Sequence, residues 1–159
     1  MHGHLSQDTL VAVPAAVIWD VYGSLELGRL VNKLLGDVIG IVEVIEGDGD
    51  VGTLVKVTFR PGSPVDGYMI EKFTKVDDEN RVKETEIVEG GYKALGFDPF
   101  RVRLEILEKD SRSSIIRSSI EYEVDDKLAA VASQVSIKPL AMIAEAIGKH
   151  LLDKETAQL

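Results

Sequence analysis

The sequence predicts a single α+β domain spanning residues 1–159, on three observations. From Val38 to Val124 the hydrophobic pattern has period two, broken by short glycine-rich, proline-rich or acidic stretches. Two short helical patterns precede that run, and one long helical pattern follows it. Strands and helices segregated in this way favour an antiparallel sheet with helices on one side.

The elements follow in chain order. Residues 5–13 alternate, with Leu5, Gln7, Thr9, Val11 and Val13 on one face. Pro14 suits the first turn of a helix over 15–22, because its missing N–H has no partner there in any case. That helix presents Ile18, Trp19 and Tyr22. Ser24 caps a second helix over 25–35, whose stripe is Leu27, Leu30, Val31 and Leu34. Joined so tightly, the two form a V. Six strands are expected next, at 39–46, 53–60, 67–76, 80–88, 95–108 and 113–124. The breaks are Gly47–Gly52, Pro61-Gly62-Ser63-Pro64, residues 77–80, Gly90-Gly91 and Lys109–Arg112. Connections this short favour antiparallel neighbours. In the strand near residue 100, Phe100, Val102, Leu104 and Ile106 alternate with Arg101, Arg103 and Glu105, as in a half-buried sheet. Asp125-Asp126 caps a helical run to near Asp153, with a kink or break at Pro139. A curved sheet with a long helix lying across it encloses a cavity.

Composition removes several functions. There is no cysteine, hence no disulfide, thiolate metal site or cysteine nucleophile. A net charge of −9 repels nucleic acid and anionic lipid. No stretch is apolar for long enough to span a bilayer, and residues 1–8 carry no apolar signal core, so a cytoplasmic location is expected. Gly47-Asp48-Gly49-Asp50-Val51-Gly52 matches G-x-G-x-x-G, but a strand follows it instead of a helix, and its aspartates repel phosphate. A glycine-rich hairpin connection accounts for it better. His2, His4 and His150 lie near the termini without metal-ligand spacing and read as frayed or helix-end residues. Without an interior histidine, Ser113, Ser114, Ser118 and Ser119 belong to no Ser-His-Asp arrangement.

The stretch that carries chemistry is 68–83. It reads as a hairpin with a polar turn at Asp77-Asp78-Glu79-Asn80 and one inward-capable ionisable group on each arm, Glu71 and Lys83. On a surface these form an ordinary cross-strand ion pair. In a cavity they form an acid/base pair. Glu71 shares a face with Met69 and Phe73, and Lys83 with Thr85 and Ile87.

The chain also resembles the plant pathogenesis-related class-10 proteins of the birch-pollen-allergen (Bet v 1-like) type, over essentially its whole length. The resemblance rests on the element order, Gly-Asp-Gly-Asp-Val-Gly, the Pro14-led helix pair, Ile87-Val-Glu-Gly-Gly91 and the terminal helix. Within that group it is most similar to the norcoclaurine-synthase and norbelladine-synthase branch. The residues that carry this are Val44-Ile-Glu-Gly-Asp-Gly49, Val51-Gly-Thr53, Glu71-Lys-Phe73, Asn80-Arg-Val-Lys83, Val88-Glu-Gly-Gly91 and Ile120-Glu-Tyr-Glu-Val124.

The resemblance implies a helix-grip (START-like) fold, with seven antiparallel strands curved around the long helix over a large apolar cavity. It implies condensation of an arylethylamine (dopamine or tyramine) with an aromatic aldehyde, by a Pictet–Spengler reaction or as norbelladine synthases do. The family's catalytic lysine falls on Lys83 and its glutamate on Glu71. Its tyrosine stands two residues before the glutamate in norcoclaurine synthases, a position that holds Met69 here. The tyrosine of this chain is Tyr68, three before Glu71, the spacing of norbelladine synthases, and only a bulge beside Gly67 brings it and Glu71 to one face. The position of a further catalytic aspartate holds Val102. Met69, Phe73, Phe97, Phe100, Val102, Leu140 and Met142 are expected to contact substrate, and Trp19 to shape the cavity or the core. The chemistry requires no metal or organic cofactor, and a monomer or weak dimer is expected. The alternative is a non-catalytic carrier or store for amphipathic plant metabolites or hormones in the same cavity.

Overall fold

The computed structural model describes residues 1–63, 65 and 67–158. Its strands are β1 (His2–Val11), β2 (Gly40–Glu46), β3 (Leu54–Phe59), β4 (Tyr68–Asp77), β5 (Val82–Gly90), β6 (Phe100–Asp110) and β7 (Ser113–Glu123). They form one antiparallel sheet in the order β1-β7-β6-β5-β4-β3-β2. The helices are α1 (Ala15–Tyr22), α2 (Glu26–Leu35), the short α3 (Gly91–Ala94) and α4 (Ala129–Ala132), and α5 (Lys138–Thr156). All connections from β2 to β7 link neighbours. The one long-range step returns β1 to the far side, beside β7.

The sheet alternates as the sequence predicts. On β6, Phe100, Leu104 and Ile106 are buried while Arg101, Arg103 and Glu105 face outward. There Arg101 bonds Glu86 and Glu121, Arg103 bonds Glu84, and Arg117 bonds Asp8. On the inner face, Val11, Ile18, Tyr22, Leu104, Ile106, Ile116, Ala144 and Ile147 pack α1 and α5 onto β1, β6 and β7. A second cluster, around Phe97, Phe100, Ile120 and Tyr122, closes the other end. Between the two the helices stand off the sheet, and a cavity is left.

Two expectations change and one is narrowed. The 95–108 strand begins only at Phe100: Gly96 has φ 109°, and the Asp98-Pro99 turn leads into β6. The long helix is broken. Asp125 accepts from the Lys127 N–H to start a 3₁₀ turn over Asp126–Leu128; α4 follows, and α5 starts afresh with Pro139 in its first turn. Proline is tolerated at that position and not inside a helix, so the chain breaks before it and does not kink at it. His2 and His4 are not frayed: they pair with Glu123 and Glu121 of β7, and His2 Nδ1 lies 2.9 Å from Glu123 Oε1. In the break at 61–64, Pro64 lies outside the described residues.

Other local expectations agree with the structure. Ser24 Oγ accepts from the Glu26 N–H at 3.2 Å. The 47–52 loop joins β2 to β3 through Gly47, Gly49 and Gly52, all at positive φ. Its Gly49 N–H donates to Thr53 Oγ1 at 2.9 Å. The hairpin turn is closed by Asp77, which accepts from the Asn80 backbone and side chain. Trp19 Nε1 donates to Asp78 Oδ1 at 2.9 Å, fixing α1 to that turn. Trp19 is therefore core, and it does not line the cavity.

Candidate active site

The cavity has two adjoining lobes. The inner lobe, about 200 Å³, is bounded by α2 (Leu27, Val31), by β3, and by Phe73, Lys83 and Leu104 of the sheet. The outer lobe, about 460 Å³, is bounded by Ile87, Tyr92, Phe100, Ile120 and Met142, with Arg60 and Lys138 toward its rim. Ile39, Phe59, Met69, Glu71, Val102, Pro139 and Leu140 line both. The lining is overwhelmingly apolar. In such surroundings Glu71 and Lys83 are the conspicuous ionisable groups.

Pairing across the hairpin fixes their relation. Glu71 pairs with Ile87, Phe73 with Thr85, and Val76 with Lys83. Glu71 and Lys83 therefore face the same side, two rungs apart, with the Phe73–Thr85 rung between them. Lys83 is 3% exposed. Its ammonium donates to the Tyr22 carbonyl at 3.2 Å and sits 4.0 Å from the centre of the Phe73 ring. That carbonyl ends α1, where the helix dipole is negative and favours a cation.

Burial lowers the Lys83 pKa to about 8, against the pull of Glu71. Burial likewise raises the Glu71 carboxyl, more than Lys83 and the nearby Thr85 hydroxyl lower it. The two groups are thus moved toward each other in acidity, as proton donors and acceptors for neutral conditions must be.

The remaining expected residues divide. Met69, Phe73, Val102, Leu140, Met142 and Phe100 all line the cavity. Phe97 does not. It is fully buried behind the cavity wall, packed edge-on against Tyr92 at 5.2 Å and Tyr122 at 5.1 Å between ring centres. Tyr92 and Phe100 stack at 4.8 Å and form the wall itself.

Tyr68 is on the outer face of the sheet. A bulge does lie nearby, but on the partner strand: Ile70 pairs with Glu89 and Glu71 with Ile87, leaving Val88 as the extra residue of β5. Strand β4 stays regular from Tyr68 to Phe73, so Tyr68 and Glu71 point to opposite sides. Tyr68 is 39% exposed, and its hydroxyl donates to Glu89 Oε2 at 2.6 Å. This corrects the three-residue site: the cavity holds Glu71 and Lys83, and Tyr68 stands behind the wall.

Sequence reasoning missed Thr85, Tyr92, Pro139 and the Tyr22 carbonyl. Thr85 was within reach, since parity puts it beside Lys83. The Tyr22 carbonyl was not, because it is a backbone group 61 residues from its partner.

A curved sheet gripping a helix over an apolar cavity, with one acid and one amine on its inner wall, defines a small-molecule cavity protein equipped for proton transfer. The chain belongs to the pathogenesis-related protein Bet v 1 family, whose model matches residues 1–154. Among its relatives, norbelladine synthase of Narcissus pseudonarcissus is 48% identical over 156 residues, 98% of this chain and 96% of that protein. S-norcoclaurine synthase 2 of Papaver somniferum is 38% identical over 149 residues; the match covers 92% of this chain but only 64% of the poppy protein. The solved norcoclaurine synthase of Thalictrum flavum in complex with dopamine and hydroxybenzaldehyde superposes with a TM-score of 0.86 at 34% identity, covering 96% of this chain and 88% of that one.

Proposed function

We propose that this protein condenses an arylethylamine with an aromatic aldehyde inside its cavity, with Lys83 and Glu71 as the proton-transfer groups. The observation that supports this most is their joint placement: a buried Lys83 and a half-buried Glu71 on one wall of an apolar cavity, separated by an aromatic ring. As a plain ion pair, that arrangement would cost stability without return.

Condensation needs the carbonyl polarised, the amine deprotonated and a water expelled. The Lys83 ammonium protonates the aldehyde oxygen as the C–N bond forms, regains a proton and then protonates the leaving hydroxyl. Glu71, at the junction of the lobes, accepts in turn the two protons that the nitrogen loses, at addition and as C=N forms, and returns each to Lys83. The C–N bond forms at the carbonyl carbon, the C–O bond breaks, and one water leaves for each imine formed. Each such acid–base step supplies about 10²–10⁴-fold, and holding two reactants together in a dry cavity adds to it.

Val102 occupies the place where norcoclaurine-type relatives carry a further acid, so we assign imine formation, as in the norbelladine branch, ahead of ring closure. Tyramine with 3,4-dihydroxybenzaldehyde is the pair of choice, with dopamine and 4-hydroxyphenylacetaldehyde as the comparison. A cytosolic location and a monomeric or weakly dimeric state belong to the same proposal.

The test follows product formation for both pairs in the wild type, Lys83→Ala and Glu71→Gln. The expected result is turnover above buffer that falls by about 10²–10⁴ in each variant. Product at the buffer rate, unmoved by either substitution, would overturn the reading and leave a carrier of amphipathic metabolites.

A further inference from the structure

Lys83 is set up for more than donating a proton. Among the described residues its only hydrogen bond is the one to the Tyr22 carbonyl, and no carboxylate stands within ion-pair reach. An ammonium with three N–H groups and one acceptor is poorly satisfied. The Phe73 ring below it, at 4.0 Å, attracts a cation but cannot replace water. The neutral amine is correspondingly favoured, and near neutral pH it is roughly 300-fold more abundant at Lys83 than at an ordinary surface lysine. A desolvated lysine in an apolar pocket is a nucleophile toward carbonyls.

Access completes the picture. Lys83 lines the inner lobe, which communicates with the larger outer lobe past Glu71. An aldehyde arriving first therefore meets the lysine in a chamber lined by Val55, Val57, Phe73, Val102 and Leu104. Its apolar lining disfavours the water that would reverse an adduct.

We propose that Lys83 forms a Schiff base with the aldehyde when the aldehyde arrives before the amine, and that the amine substrate then discharges it by transimination. The inference rests on the reading that the cavity takes an aromatic aldehyde, and it adds a covalent route at the same site.

The neutral lysine nitrogen adds to the carbonyl carbon, and the π electrons move to oxygen. Glu71, which burial inclines to hold a proton, protonates that oxygen. The nitrogen gives up a proton to Glu71, which passes it to the hydroxyl; the nitrogen lone pair forms C=N, and the hydroxyl leaves as water. Each adduct releases one water, and nothing is oxidised or reduced. The incoming amine then adds to the same carbon, and the bond to Lys83 breaks. The lysine is restored and the imine of the second substrate released.

Trapping tests this on the intact wild-type protein. It is incubated with 3,4-dihydroxybenzaldehyde and cyanoborohydride, without amine, then read by intact mass and by peptide mapping. The expected result is one reduced aldehyde per chain at Lys83, at least about tenfold above any other lysine. Labelling rises as pH approaches 8 and falls when tyramine is added together with the aldehyde. Lys83 labelled no more than surface lysines overturns the inference. Turnover without a Lys83 label removes the covalent route and leaves the proposed function standing. A Lys83 label without turnover does the reverse.

Discussion

Lys83 carries a cost that a pH titration of stability reads directly. Burial takes its pKa from 10.5 to about 8, while in the unfolded chain it is an ordinary lysine. Between pH 8 and 10.5 the unfolded state binds more protons, so stability rises with pH across that window. Below pH 8 the full penalty is present, roughly 3 kcal/mol from the size of the shift. Replacing the lysine by methionine keeps an unbranched side chain against the Phe73 ring and removes the charge. The expected outcome is a gain of about 1–3 kcal/mol in denaturant unfolding near neutral pH, with activity lost. The gain shrinks as pH is raised through 10.5, above which wild-type Lys83 is neutral in both states. Glu71 works the other way. Its carboxyl is raised, so its contribution is full below the ordinary carboxylate range and fades as pH rises through the folded value. Losing its cationic neighbour enlarges that cost and offsets part of the gain. A gain equal at neutral and alkaline pH would mean that packing, not charge, sets the effect.

At the scale of elements, the contact between α5 and β1 sets how closely the helix lies on the sheet. Gly148 is buried, and a Cβ there would stand 2.4 Å from Val11 Cγ1. On an exposed helix face, Gly→Ala stabilises by about 1 kcal/mol. Here overpacking wins, so Gly148→Ala is expected to lower stability by about 1–3 kcal/mol in thermal or urea unfolding. Combining it with Val11→Ala should recover part of the loss; a double mutant that merely adds the two losses would refute the contact. Much at this scale was legible in the sequence, because period two and period 3.6 are local signals. Parity allowed the inward placement of Glu71 and Lys83, and the family resemblance was what pointed to it. Parity likewise put Tyr68 on the face opposite Glu71, and the remedy of a β4 bulge fails because the extra residue, Val88, is on β5. Neighbouring strands decide such register, and a single strand's sequence does not record it. Residues 95–99 misled because Leu95 and Phe97 alternate like strand residues. Phe97 instead plugs the aromatic cluster with Tyr92, Phe100 and Tyr122. The break before α5 needed no tertiary information beyond the preference of Pro139 for a first turn.

The whole molecule has an open sheet, and an open sheet has two edges, here β1 and β2. The β2 edge is the more hazardous, because Ile41, Val44 and Ile45 on it are each more than 40% exposed. An apolar, unpaired strand is a template for a second copy. The fold blocks its middle with a side chain. Asn32 of α2 donates from Nδ2 to the Val42 carbonyl at 2.8 Å and accepts from the Val42 N–H at 2.7 Å, as a neighbouring strand would. The same bonds hold α2, which carries Leu27 and Val31 over the inner lobe, onto the sheet. Asn32→Ala removes both, and stability should fall by about 1–3 kcal/mol. Self-association should rise as well, measured by light scattering against protein concentration. The net charge of −9 opposes contact between copies. Added salt screens that repulsion within about 10 Å at 0.1 M, so association of the variant should increase with ionic strength while the wild type stays unchanged. Asn32→Asp separates the two bonds, since it keeps the acceptor for the Val42 N–H and loses the donor to its carbonyl. It is expected to fall between the wild type and the alanine variant in stability. An alanine variant as stable as the wild type and equally monodisperse at high salt would show that α2 holds the edge by packing alone.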